Sequence, residues 1–276
     1  MIKLLKPLFM KKSTSALIPF LIVLSFVPFY SCYYPPYSDP YVVDVNRQKE
    51  NYYYAPAAPT VPLLVQKNDF SLTMNGSIGK DAKGGSVHGA FKPTKNLGLM
   101  TSYSWFKNDA GANDIGRFIN YEFGAGYVGQ LSPYWHFETY GGIGSGKVEN
   151  EHYTGYSKIK TNYFFLQPTI AVSDKSQLMQ FGFFSKFSST KFKLLDTSFN
   201  NDREQVVTNQ MKIIHDDPSQ LFWEPGFIGR VGFKIVQFNV CYTFSSDLTN
   251  KDLFRKKGLL ALGVIVKLNT NNLKTK

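Results

Sequence analysis

The chain has 276 residues, of which 43% are hydrophobic and 16% aromatic but only 18% charged, with 22 glycines and a formal net charge of +11. So little charge beside so many aromatics excludes an ordinary basic soluble domain, whose surface needs more charged residues. Four of the positives, Lys3, Lys6, Lys11 and Lys12, sit in an acid-free leader; 11 less 4 leaves +7, scattered without a basic cluster, so nucleic acid is not expected as a partner.

Residues 1–31 have a basic start, an apolar core from Ala16 to Phe29 and the small Ser31 before Cys32, the pattern of an export signal peptide. Met10-Lys11-Lys12 offers a second start that would give a leader of more usual length. The stretch FYSC, ending at Cys32, resembles a lipoprotein signal box. That resemblance implies cleavage before Cys32 and an acyl and diacylglycerol lipid on it, so residues 32–69 are expected as a lipidated Tyr/Pro-rich linker. The segment YYPPYSDPY, then NYYYAPAAPTVP up to Pro62, has no period of either kind and reads as an extended, disordered periplasmic spacer. After the leader, nothing approaches the roughly 18 uninterrupted apolar residues of a spanning helix.

From residue 70 a period of two recurs ten times. In 70–78, Phe70, Leu72 and Met74 oppose Ser71, Thr73 and Asn75. In 86–92, Val87 and Phe91 oppose His88 and Ala90. The turn PTKN leads into 97–106, where Leu97, Leu99, Tyr103 and Trp105 oppose Gly98, Ser102 and Ser104. The stretch 117–146 is a long hairpin: Ile119, Tyr121, Phe123 and Tyr127 oppose Asn120, Glu122, Gly124 and Gly126, then Trp135, Phe137 and Ile143 oppose His136, Glu138, Tyr140 and Gly142. Strands follow at 163–172, weakened by Pro168, and at 177–188, 222–233, 236–244 and 260–268, with Cys241 as a small inward residue. One face is apolar and aromatic, whereas the other carries glycines, hydroxyls and charges. Such faces suit lipid on one side and a barrel lumen on the other. The intervals alternate between long (79–85, 107–116, 147–162, 189–221, 245–258) and short, and Trp105, Tyr127, Tyr134, Trp135, Trp223 and Tyr242 fall near strand ends, as in the aromatic girdles of a membrane wall.

These features, and glycine-aromatic phrases such as YEFGAGY and FETYGGIGSG, resemble the small outer-membrane β-barrel proteins of Gram-negative envelopes, in a lipoprotein-anchored form. The resemblance covers residues 70–268. It implies an all-β fold: a transmembrane antiparallel up-and-down barrel of about ten strands, eight being the alternative, with a disordered N-terminal tether and a polar tail at 269–276. It also implies a place in the cell outer membrane, with an even strand count returning both termini to the periplasmic side.

The inward face brings together Glu122, Glu138, Glu224, His136, Lys186 and Arg230, with His88, Lys92 and Lys267 nearby in pattern. Isolated charges in a narrow barrel are costly, so these residues are expected to form a lumen ion-pair network, with Arg230 and Lys186 as partners of Glu122, His136 and Glu138. No catalytic residue is expected. Omptin-type surface proteases are ten-stranded barrels too, but Glu149, Glu151 and His152, or His215, Asp216 and Asp217, do not reproduce their paired acids and histidine. The HDD run at 215–217 cannot converge on a metal without distant partners, and GGIGSG lacks the Lys-Ser/Thr ending of a phosphate loop. No metal and no cofactor beyond the Cys32 lipid is expected. The expected role is that of a non-catalytic accessory or scaffold subunit in a larger outer-membrane complex for protein assembly, secretion or uptake, with membrane lipids and other envelope proteins as partners. The alternatives are a narrow channel and a rim-located surface enzyme, protease or lipid-modifying.

Overall fold

The computed structural model describes residues 52–78, 82–111, 114–152, 155–198, 205–249, 251, 253 and 255–269. The expected signal peptide, Cys32, the expected linker up to residue 51 and the expected tail from 270 lie outside the described residues. Among the described residues, eleven strands and one helix follow in chain order: β1 (Asp69–Ile78), β2 (Ala82–Phe91), β3 (Leu97–Gly111), β4 (Asp114–Gln130), β5 (Trp135–His152), β6 (Gly155–Ser173), β7 (Met179–Thr197), α1 (Gln205–Asp216), β8 (Ser219–Gly232), β9 (Val236–Phe244), β10 (Ser246–Asp247) and β11 (Gly258–Asn269). Consecutive strands pair antiparallel from β1 to β9, β11 joins β9 to β1, and the two-residue β10 adds to β8. The wall is thus a closed ten-stranded antiparallel barrel, and β11 against β1 (Leu268 opposite Phe70, Val264 opposite Met74) is the seam that closes it.

Period two decides which side chains meet lipid. Tyr121, Phe123, Tyr127, Trp135, Ile143, Phe164 and Phe238 point outward and are exposed, whereas Glu122, His136, Glu138, Lys186, Glu224, Arg230 and Cys241 point inward and are buried. An outward aromatic band around a polar interior is the inverse of a soluble barrel. The chain has an outer-membrane-type β-barrel fold. All six aromatics expected in the girdles are exposed.

In three of the intervals expected as long loops, 79–85, 107–116 and 147–162, the described residues are strand instead. β5 runs 18 residues, and β6 and β7 run 19 each, against the roughly 9–11 that cross a bilayer. Along β5 the outward face is apolar from Trp135 to Ile143, then changes to Ser145, Lys147, Glu149 and Glu151. The partners opposite continue the change: Lys147 faces Lys160 of β6, and Lys160 faces Lys193 of β7. The strands therefore continue past the membrane with a water-facing exterior, and charged outward residues do not end them. The ladder of β6 to β7 skips Gln167 and Pro168 while that of β6 to β5 keeps Pro168 opposite Thr139, so proline costs one side of its pairing without breaking the strand.

The interval 189–221, expected as a loop, contains the end of β7 and the whole of α1. Gln210, Met211 and Ile214 form a buried face of α1, and Met211 and Ile214 share an apolar cluster with Phe118, Val148, Ile159, Phe192 and Phe222 at the loop end of the barrel. A 12-residue helix is marginal alone, so this packing is what holds it.

The boundary between lipid-facing and water-facing wall is testable along one strand. Leu166→Arg, inside the band, should cost about 2–4 kcal/mol of stability in urea unfolding from lipid vesicles, the cost of a cation near mid-membrane. Lys160→Glu, six residues toward the loop end, should stay within about 0.5 kcal/mol, as an exposed surface change does.

Candidate functional site

The lumen is the site, and it is filled by the chain itself. Residues 52–68, expected as part of an external linker, run through the barrel. Tyr53, Ala55, Ala57, Ala58, Val61, Leu63 and Leu64 are all buried. At the end bearing α1, Asn150 donates to the Tyr52 carbonyl at 3.2 Å and the Lys256 N–H donates to that of Tyr54 at 2.9 Å. The Tyr54 ring stacks on Phe222 with centroids 3.8 Å apart. At the end bearing the short turns, the Asn68 N–H donates to the Lys92 carbonyl at 2.7 Å, and Asp69 accepts from the N–H groups of Val65 and Gln66. Alternating small and proline residues keep the segment extended and thin enough to fit, but an extended chain has no internal hydrogen bonds. Its peptide groups need partners from the wall.

Buried charged residues supply them. Arg230 donates to the carbonyls of Val61 and, at 3.0 Å, Pro62. Glu138 accepts the next two N–H groups, from Leu63 at 3.2 Å and Leu64 at 2.8 Å. Leu63 sits at φ 48°, a left-handed conformation that turns successive N–H groups toward one anion. The expected ion-pair network is corrected here: Glu138 and Arg230 hold the backbone of four consecutive residues of the threaded segment, 61–64, between them. Gln167 donates to the Thr60 carbonyl at 2.8 Å, and Lys92 to the Val65 carbonyl at 3.0 Å. A hydrogen-bonded chain from Asn239 through Asn75, Ser86 and His88 ends on the Thr60 hydroxyl, 2.8 Å from His88 Nδ1.

The other half of the expected network is an ion-pair cluster. Lys186 Nζ is paired with Glu122 Oε1 and lies 4.0 Å from Glu224 Oε2. Tyr163 donates to Glu122 at 2.9 Å, Ser102 donates to its second oxygen at 3.2 Å, and Tyr54 of the threaded segment donates to Glu224 at 2.9 Å. The Lys186 ammonium stands 5.0 Å from the Phe165 ring centre and 5.6 Å from that of Tyr163. The glycines of GGIGSG make room for these rings: a Cβ at Gly144 would lie 2.2 Å from the Tyr163 ring, and one at Gly142 2.6 Å from Phe165. His136 stands apart, bonded to the Ser173 hydroxyl at 2.8 Å and to neither expected cation.

The loop-end residues do not converge. His215 and Asp216 are exposed neighbours 3.1 Å apart, Asp217 pairs with Lys251, Glu149 with Lys147, and Glu151 with Arg117. The His152 side chain lies outside the described residues. Among the described residues no three His, Cys, Asp or Glu side chains gather as a metal site. The alternation placed Ser102 and Gln167 on the inward face without giving them partners; it missed Ser188, whose hydroxyl lies 3.4 Å from that of Tyr54, and above all the threaded segment. Its one visible signal is composition, since AAPTVPLLV is too apolar for a solvated spacer.

The chain matches no protein-family model and no curated protein. Among solved structures it is similar to Ail, the attachment invasion locus protein of Yersinia pestis, at 12% identity and TM-score 0.35, over 74% of this chain and all of that one. It is similar to the translocator domain of autotransporter NalP from Neisseria meningitidis at 8% and 0.40, over 72% and 86% of the two chains. It is also similar to the outer membrane protease OmpT from Escherichia coli at 10% and 0.33, over 73% and 94%. Likeness at this level is that of one barrel wall to another.

Removing the central cation tests the cluster. Lys186→Met leaves two buried carboxylates without it and should cost about 3–5 kcal/mol in urea unfolding, with more than half restored by adding Glu122→Gln. An unchanged midpoint in the single variant would mean that Glu122 and Glu224 are hydrated.

Proposed function

We propose that the chain is a non-catalytic outer-membrane barrel lipoprotein, acylated on Cys32, that serves as an accessory or scaffold subunit of a larger outer-membrane assembly. Lipids of the membrane and other envelope proteins are its partners. One observation supports this reading most: the lumen is occupied by residues 52–68, fixed by buried Arg230, Glu138, Gln167 and Tyr54. A filled lumen offers no wide aqueous path, which leaves the outer wall and the loop-end mouth as working surfaces. That mouth is built for contact: α1 and the tall β4 to β7 wall stand beyond the apolar band. Pairing of Asp217, Glu149 and Glu151 with neighbouring cations leaves them poorly placed to activate a water together, which favours this reading over a rim hydrolase.

Two measurements test it. In planar bilayers the intact protein should stay at background conductance, while deletion of residues 53–62, or the pair Arg230→Ala and Glu138→Ala, should give discrete openings. Extraction in mild detergent should bring a second envelope protein with the barrel. Recovery as a lone monomer would overturn the scaffold reading, and steady conductance of the intact chain would favour the channel.

A further inference from the structure

We infer that the chain is threaded through its own barrel, so that the N-terminal side of Tyr52 emerges at the tall mouth, on the outer face of the membrane. This reverses the sequence expectation of a periplasmic tether. It goes beyond the scaffold reading and does not depend on it.

The first step is the orientation of the wall. The short connections 92–96, 131–134, 174–178 and 233–235 lie at one end, directly below the apolar band: Trp135 and Phe137 begin the outward face of β5, and Phe181 and Phe183 that of β7. At the other end the outward face is charged for several residues beyond the band, with Lys147, Lys160 and Lys193 side by side, and the connections include the 21 residues around α1 and the 13 from 245 to 257. Outer-membrane barrels place short turns in the periplasm and the tall, loop-bearing end outside.

The second step is the direction of the threaded segment. Tyr52 and Tyr54 are bonded to Asn150 and Lys256, and Tyr54 forms a bridge with Arg255; all three partners belong to the tall end. Leu63 and Leu64 are bonded to Glu138, three residues from the start of β5, and Asn68 to Lys92 at the first short turn. The chain therefore enters from the tall mouth, descends through the lumen and turns at the short-turn mouth into β1. Ten strands do return the C-terminus to the short-turn end, but the threaded segment takes the N-terminal side to the opposite one.

Labelling of intact cells with a membrane-impermeant maleimide tests this, against a parent chain whose Cys241 is buried. Asp44→Cys should be labelled without permeabilisation, as should His215→Cys at the tall end, whereas Lys175→Cys in a short turn should need permeabilisation. Labelling of Asp44→Cys only after permeabilisation, alongside Lys175→Cys, would overturn the inference. So would the reverse pattern for the two reference positions, because the tall mouth would then face the periplasm.

Discussion

The structure depends on four consecutive residues, 61–64, whose backbone is held between a buried guanidinium and a buried carboxylate. Arg230 takes the carbonyls of Val61 and Pro62, and Glu138 takes the N–H groups of Leu63 and Leu64. An ionised side chain inside a barrel is costly unless its hydrogen-bonding capacity is met, and an extended backbone there has the same problem. Each solves the other's problem, and opposite ends of the same short run of peptides neutralise opposite charges. The buried cation and anion are thereby balanced without touching.

The wall is shaped for this filling. Glycines 142 and 144 leave the space that the rings of Phe165 and Tyr163 occupy, and Tyr163 in turn reaches Glu122. Lys186 holds Glu122 and stands near Glu224, and Glu224 receives the Tyr54 hydroxyl, so the ion-pair cluster is also tied to the threaded segment. Above it, Phe222, Phe192, Met211 and Ile214 form an apolar cluster with Tyr53 at the tall end. At the short-turn end a cavity of about 340 Å³ is lined by Leu63 and Leu64 together with Lys175, Lys234 and Lys267. The lumen is thus layered: apolar at the tall end, ionic in the middle, and peptide-clamped near the short turns.

Much of the wall was legible in the sequence because lipid enforces it: a strand crossing a bilayer must alternate, and ten stretches did. The inward set was legible for the same reason, but not which cation meets which acid: of the two cations expected to pair, Lys186 meets Glu122 whereas Arg230 binds backbone carbonyls. The upper wall was not legible, because beyond the membrane the outward residues become Lys147, Glu149, Lys158 and Lys160 and no longer look like strand. The helix was not legible either, since it rests on burying Met211 and Ile214 against distant strands. Least visible was the threaded segment. An extended Tyr/Pro-rich chain has no period, and the residues that bind it, Glu138, Gln167 and Arg230, lie far along the chain, so only the apolar run AAPTVPLLV separates a plug from a tether locally.

The central claim, that buried Glu138 and Arg230 hold the chain's own backbone inside the barrel, is tested most directly by amide hydrogen exchange. The account predicts that the N–H groups of Leu63 and Leu64 exchange as slowly as those of the surrounding strands. It also predicts that Glu138→Ala releases these two while strand amides of β4 and β5 remain protected. Rapid exchange of Leu63 and Leu64 in the unaltered protein, at the rate of an open linker, would contradict it.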